Sequence, residues 1–166
     1  MNPFEFFIPQ NIIVGAGTLV RLPECAQKLG GTHAMLLSGP TLRKMGIVDK
    51  AAKYLEDAGM KVDIFTEIEA NPSVTTVEKA TTAFKEAGAD FIVALGGGSP
   101  MDVAKAVGVT AKHGGSITEY EGAHKVPGKI IPLIAIPTTA GTGSEVTAFS
   151  VITDHSRDYK LTVFSY

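Results

Sequence analysis

Apolar positions along the chain change period several times, and the changes mark out its elements. "HAMLLS" (33–38) and "DFIVAL" (90–95) are short unbroken apolar runs, as expected of strands buried on both faces. Between them, "VDKAAKYLEDAG" (48–59) places Val48, Ala51, Ala52 and Leu55 on one helical face. "KVDIFT" (61–66) predicts a second strand. The stretch 73–88 predicts a second helix, with Val74, Val77, Thr81 and Phe84 on one side and Gly88 closing it. After "DFIVAL", Val103, Ala104, Val107 and Ala111 recur at helical spacing, and "KIIPLIAIP" (129–137) predicts another strand. Strand–helix pairs with short connections imply an α/β domain: a Rossmann-like parallel sheet flanked by helices. The opening "FEFFIPQNIIVG" differs, with two short apolar runs around Pro9-Gln10 that suggest a β-hairpin. The tail "AFSVITDHSRDYKLTVFSY" holds two more β-like runs and stops on apolar and aromatic residues, as a chain cut at a domain boundary would.

Two loops break the pattern. "LGGGSPMDVAKA" (95–106) sets three glycines, Ser99 and Pro100 directly between a strand and a helix. Ser99 is expected as N-cap and Pro100 as first helical residue. Glycine-rich turns of this kind also occur without a ligand. Three consecutive glycines go further, because they bare the backbone N–H groups at a helix start, where a phosphate is well held. Asp102 is expected in that helix's first turn, either as a helix-start acid or as a polar contact to a cofactor. "IPTTAGTGSEVT" (136–147) surrounds two glycines with Thr138, Thr139, Thr142, Ser144 and Thr147. Hydroxyls at a strand's C-terminal end suit phosphate, ribose or amide recognition, although a Thr-rich turn would read alike. Two such loops after strands of one sheet favour a common ligand.

Composition narrows the classes. With 166 residues, 45% hydrophobic and 19% charged, the chain matches one ordinary soluble domain. A net charge of −2 without a basic block gives no footprint for nucleic acid. No apolar run is long enough to span a membrane, and the start lacks a signal-peptide pattern. The single cysteine, Cys25, fits a helix position and a cytoplasmic location. The G-x-G-x-x-G fingerprint and the P-loop are both missing. His33, His113, His124 and His155 stand singly and are read as surface or satisfied histidines.

Together, "GGGSPMDVAKA" and "IPTTAGTGSEVT" closely resemble the iron-containing, or group III, alcohol dehydrogenases. "FFIPQNIIVGAGTL", "ANPSVTTVEKA" and "VITDHSRDYKL" extend the resemblance to essentially the whole chain. It implies that residues 1–166 are an N-terminal dinucleotide-binding domain, with the family's C-terminal helical domain lying beyond them. It implies NADP or NAD as cofactor, a small alcohol or aldehyde as substrate, and a homo-oligomer. By the same resemblance, Gly97, Gly98 and Ser99 would hold the pyrophosphate and Asp102 would close their loop. Thr138, Thr139 and Thr142 would line the adenine and phosphate side, and Thr147 and Lys160 the nicotinamide-ribose side. Asn71 matches a position near the adenosine. The family's metal ligands, one Asp and three His for iron or zinc, fall beyond residue 166, so no metal or catalytic residue is assigned here. Many NAD-preferring members carry an Asp where this chain has Gly39, which implies acceptance of NADP, with Arg43 or Lys44 near its 2′-phosphate. Alternatively, Gly39 simply turns with Pro40. Glycerol dehydrogenase or dehydroquinate synthase relatives, and a free-standing nucleotide-binding module without catalysis, are the competing readings.

Overall fold

A computed structural model describes residues 10–165. Strands β1 (His33–Ser38), β2 (Lys61–Phe65), β3 (Phe91–Gly96) and β5 (Leu133–Pro137) form one sheet in the order β2-β1-β3-β5. Every pairing in it is parallel. The fold is therefore the expected α/β one, with helices on both faces of the sheet. Helices α1 (Leu22–Lys28) and α3 (Ile47–Asp57) cover one face, and α4 (Val74–Ala87) and α5 (Gly98–His113) the other.

The two-residue period of the strands decides which side chain goes where. Ala34, Leu36, Phe91, Val93 and Leu95 pack with α1 and α3, whereas Met35, Leu37, Ile92 and Ala94 pack with α4 and α5. Both central strands are buried almost throughout, as their unbroken apolar runs require. Burying each large aliphatic side chain contributes about 1.5–3 kcal/mol, so β1 and β3 anchor the domain.

From β1 the chain runs to β2 at one edge, whereas from β3 it runs to β5 at the other. The strand order thus reverses between β1 and β3, and open α/β sheets present their ligand crevice at the carboxyl ends there. A second sheet, in the order β4-β7-β6, is built from β4 (Gly122–Ala123), β6 (Phe149–Asp154) and β7 (Tyr159–Phe164). Strands β6 and β7 are the two runs expected in the tail, paired as an antiparallel hairpin. Ile152, Leu161 and Val163 bury against the α4–α5 side of the core.

Some boundaries differ from expectation for local reasons. The strand expected over 129–137 is ordered as strand only from Leu133. Pro132 has no N–H to give a ladder, and Ile130 and Ile131 pack instead on the helical core. The segment after Gly39 is not a bare turn but a short helix, α2 (Pro40–Lys44), with Gly39 as its N-cap. The helix expected over 48–59 spans 47–57. The first run and turn of the hairpin expected at 4–15 lie mostly outside the described residues, and 11–14 pair with no described strand.

Candidate functional site

The start of α5 falls earlier than the sequence suggests. Its N-cap is Gly97, with extended φ −82° and ψ −158°, and Gly98 is already helical. Ser99 is therefore not the cap, and Pro100 is the third helical residue, where its missing N–H still costs no hydrogen bond. The two preceding glycines are needed sterically. Gly96 has φ +151°, and a Cβ there would lie 2.7 Å from Pro100 Cγ. A Cβ on Gly97 would lie 2.9 Å from Thr139 Oγ1. The glycine loop and the threonine loop are thus packed backbone to side chain, and Thr138 N donates to Gly96 O at 2.9 Å.

Beside this contact opens a cleft of about 460 Å³, within the usual range for small-molecule sites. Gly98, Ser99 and Asp102 of α5 line it, with Thr142 and Thr147 of the threonine loop and Asn71 and Lys160 opposite. These expected residues come from four separate stretches of chain. Gly97, Thr138 and Thr139 are not among the lining residues, and both threonines are exposed. Gly39 lies outside the lining, at the carboxyl end of β1. Its neighbour Arg43 is held at 2.8 Å by Asp49, on the surface.

The far wall is β6 and β7. Asn71 adopts φ +53°, a left-handed conformation that asparagine tolerates better than most residues. Its Oδ1 accepts from Lys160 Nζ at 2.9 Å. The following turn is pinned to β6, because Thr153 N donates to Pro72 O at 2.8 Å. Glu69 braces it from behind, accepting from Ser73 N at 2.9 Å and Thr76 Oγ1 at 2.7 Å. Burial pushes the Glu69 carboxyl up, but these hydrogen bonds, that from Thr76 foremost, hold it below its ordinary value.

Asp102 is neither in the first turn nor a free acid. It lies one turn further on and is tied to the threonine loop and β6. Its Oδ1 accepts from Ser144 Oγ at 2.7 Å, its Oδ2 from Val151 N at 3.3 Å, and its carbonyl from Ser150 Oγ at 2.7 Å. Three residues at this junction were not singled out from the sequence as candidates. They are Lys105, Ser144 (noted only as one hydroxyl of the loop) and Phe149, whose ring stacks on Phe164 at 4.5 Å. In sequence, Lys105 looks like any surface lysine on an amphipathic helix, and no local signal marks it.

The N-terminus of α5 is left without a side-chain cap and without an acid in its first turn. Helix N-terminal N–H groups carry a partial positive charge, so this end offers an anion site on the cleft wall. For metal chemistry the residues do not fit: among the described residues no three His, Cys, Asp or Glu side chains converge.

The sequence pattern of iron-containing alcohol dehydrogenases matches residues 9–166. The chain belongs to the iron-containing alcohol dehydrogenase family. It is 37% identical over 159 residues to the NAD-dependent methanol dehydrogenase of Bacillus methanolicus, covering 96% of this chain and 42% of that protein. Against the NADPH-dependent butanol dehydrogenase of Clostridium saccharobutylicum it is 39% identical over 160 residues, covering 94% and 40%. The sulfoacetaldehyde reductase of Bifidobacterium kashiwanohense, solved in complex with NAD+, superposes with a TM-score of 0.91 at 32% identity, covering 99% and 44%. The chain thus spans about two fifths of the length of these relatives, aligning with their N-terminal part.

Proposed function

We propose that residues 1–166 form the dinucleotide-binding domain of an alcohol–aldehyde oxidoreductase, and that the cleft beside α5 is where NADP or NAD binds. The observation that carries this reading is the uncapped, acid-free start of the longest helix, opening on a cleft lined by hydroxyls and a lysine. The pyrophosphate would be held by backbone N–H groups at Gly98 and Ser99. Gly97 must stay small because Thr139 leaves no room for a side chain there. Thr138, Thr139 and Thr142 would border the adenine and phosphate side, with Asn71 near the adenosine. Thr147 and Lys160 would face the nicotinamide ribose. Asp102 takes part by holding the loop in place.

When bound, the nicotinamide supplies the hydride acceptor for an alcohol, or the hydride donor for an aldehyde. This chain's share of the work is to bind and orient it. The metal that the family name implies would be held by residues other than those described, so this chain alone is expected to bind cofactor without turning over alcohol. The same reading has the protein work as a cytoplasmic homo-oligomer on small alcohols or aldehydes, with neither nucleic acid nor membrane as partner. A free cysteine at position 25 suits that compartment, and among the described residues no helix is long and apolar enough to cross a membrane.

The relatives include both NAD- and NADPH-dependent enzymes. Gly39 favours NADP here. An acid at this position would accept from the ribose hydroxyls and repel a 2′-phosphate, and glycine does neither. Arg43 can serve the phosphate only by leaving Asp49, an exposed pair that costs little to open. The φ of −95° at Gly39 and an open approach to 3.4 Å from Ile68 O leave room for a side chain, so Gly39→Asp is a clean test.

Fluorescence titrations with NADH and NADPH at fixed salt are expected to show both binding, NADPH at least as tightly. Gly39→Asp should then shift preference towards NADH by about 1–3 kcal/mol. Binding of neither dinucleotide would overturn the cofactor assignment. A tenfold preference for NADH that Gly39→Asp leaves unmoved would overturn the NADP reading. Alcohol oxidation by the chain with added iron or zinc at about 1 per second or faster would refute its expected inactivity.

A further inference from the structure

We infer that Lys105 is a positioning residue whose largely buried side chain ties α5 to the threonine loop and to β6, and so sets the shape of the cleft. The inference rests on the cofactor reading above for its functional meaning, but its geometry stands on its own.

Lys105 does not line the cleft; it lies behind it, with its side chain 14% exposed. Its Nζ donates to Ser144 Oγ at 2.7 Å, to Phe149 O at 2.5 Å and to Thr147 O at 3.3 Å. Asp102 Oδ1 is 3.4 Å away, and Ser144 Oγ bridges back to it at 2.7 Å. One cation thus satisfies acceptors on three successive parts of the chain that forms the cleft's wall, 39 to 44 residues from its own position. An ammonium has three N–H bonds and needs all of them here. The charged groups facing it are Asp102, on its own helix, and Glu145, on the 3-10 turn Ser144–Val146. Glu145 Oε2 is buried without a hydrogen-bond partner, so the charge of Lys105 also compensates an acid the fold leaves unpaired.

Replacing the ammonium by a methyl-terminated chain keeps the packing of the stem but strands the carbonyls of Thr147 and Phe149. The threonine loop should then loosen while the parallel sheet, whose ladders are independent of it, should not. Linkage adds a second signature. Burial holds the Lys105 ammonium below its ordinary value, against the pull of Asp102 and Glu145. The unfolded chain therefore binds the extra proton between that lowered value and 10.5, and fold stability rises with pH across this window. An anionic pyrophosphate nearby favours the protonated amine, so dinucleotide affinity falls over the same window. A residue that only supported the fold would show the first trend without the second.

The test compares wild type, Lys105→Met and Ser144→Ala in the 166-residue chain, by hydrogen exchange and by NADH titration from neutral to alkaline pH. In Lys105→Met, amide exchange over 142–149 should rise about tenfold, with β1 and β3 unchanged. NADH should bind about tenfold more weakly, with a flatter pH profile; Lys160, at the cleft rim, supplies whatever slope remains. Ser144→Ala, which removes one hydroxyl and keeps the charge, should move exchange and affinity the same way by about threefold. It carries the test if Lys105→Met does not fold. Unchanged exchange over 142–149 in the variants, or a rise spread evenly through β1 and β3, would overturn the inference. If wild type binds no NADH, the cofactor reading fails, and the exchange comparison still decides what Lys105 does.

Discussion

Helices α4 and α5 lie side by side on the same face of the sheet, yet they begin in opposite ways. At the start of α4, Ser73 Oγ accepts from Thr76 N at 3.2 Å, and Glu69 takes up Ser73 N and Thr76 Oγ1. Its end is closed by its own sequence. The start of α5 has Gly97 as cap, no side-chain acceptor and no acid in the first turn, and it opens on the cleft. Both ends carry the same unsatisfied N–H groups. The difference teaches that a helix capped from within is finished as structure, whereas one left bare against a cleft is free to receive an anion from outside.

The largest expected effect breaks this contrast at the open end. Gly98→Val fills the mouth of α5 with a branched side chain. Gly98 needs no positive φ, and a Cβ there meets Thr142 only at 3.5 Å, so the backbone should accept the change. NADH affinity should fall at least a hundredfold, about 3 kcal/mol, with unfolding stability altered by less than about 1 kcal/mol. Unchanged binding in a fluorescence titration would mean that the loop is only a turn.

The reciprocal change at the closed end should do the reverse. Ser73→Ala removes a cap that is worth about 1 kcal/mol. Urea unfolding should show that loss, while NADH affinity stays within about threefold, since Ser73 is not on the cleft. A larger effect on binding than on stability would erase the distinction between the two helix starts.

The smallest effect concerns the hairpin that forms the cleft's far wall. At its turn, Asp154 accepts from Ser156 Oγ and Arg157 Nε, each at 2.6 Å. These bonds, that from Ser156 first, push its carboxyl down from 3.8 to about 2. Because the folded value lies below the unfolded one, the contribution is complete above about pH 4. It is lost as pH falls through about 2. Carboxyl NMR should find Asp154 still ionised at pH 3, with the turn loosening before the parallel sheet does. An ordinary titration midpoint would show that the turn does not hold the far wall as described.

Local sequence carried much of this molecule. Unbroken apolar runs marked β1 and β3, and helical periodicity marked α3 and α4, with Gly88 closing α4, because burial and capping depend on near neighbours. The glycine and threonine loops also stood out, since several small or hydroxylic residues in a row are conspicuous against an apolar strand. Local rules place the start of α5 two residues late, because Ser99 and Pro100 suit an N-cap and a first helical residue, whereas the helix is capped at Gly97. Asp102 reads locally as either a helix-start acid or a polar contact to a cofactor, and its partners Ser144 and Val151 lie more than forty residues away.

What tertiary structure alone decided was which distant stretches share the cleft. The order β2-β1-β3-β5 and the docking of β6 and β7 beside α5 bring Asn71, Gly98, Thr142 and Lys160 to one place. Lys105 shows the physical reason most plainly. A lysine's charge, its lowered proton affinity and its three donors depend on what surrounds it, and its partners lie some forty residues along the chain. No local period encodes such a distance. The sequence by itself determined most of the elements and the two unusual loops; the packing determined which loops would meet.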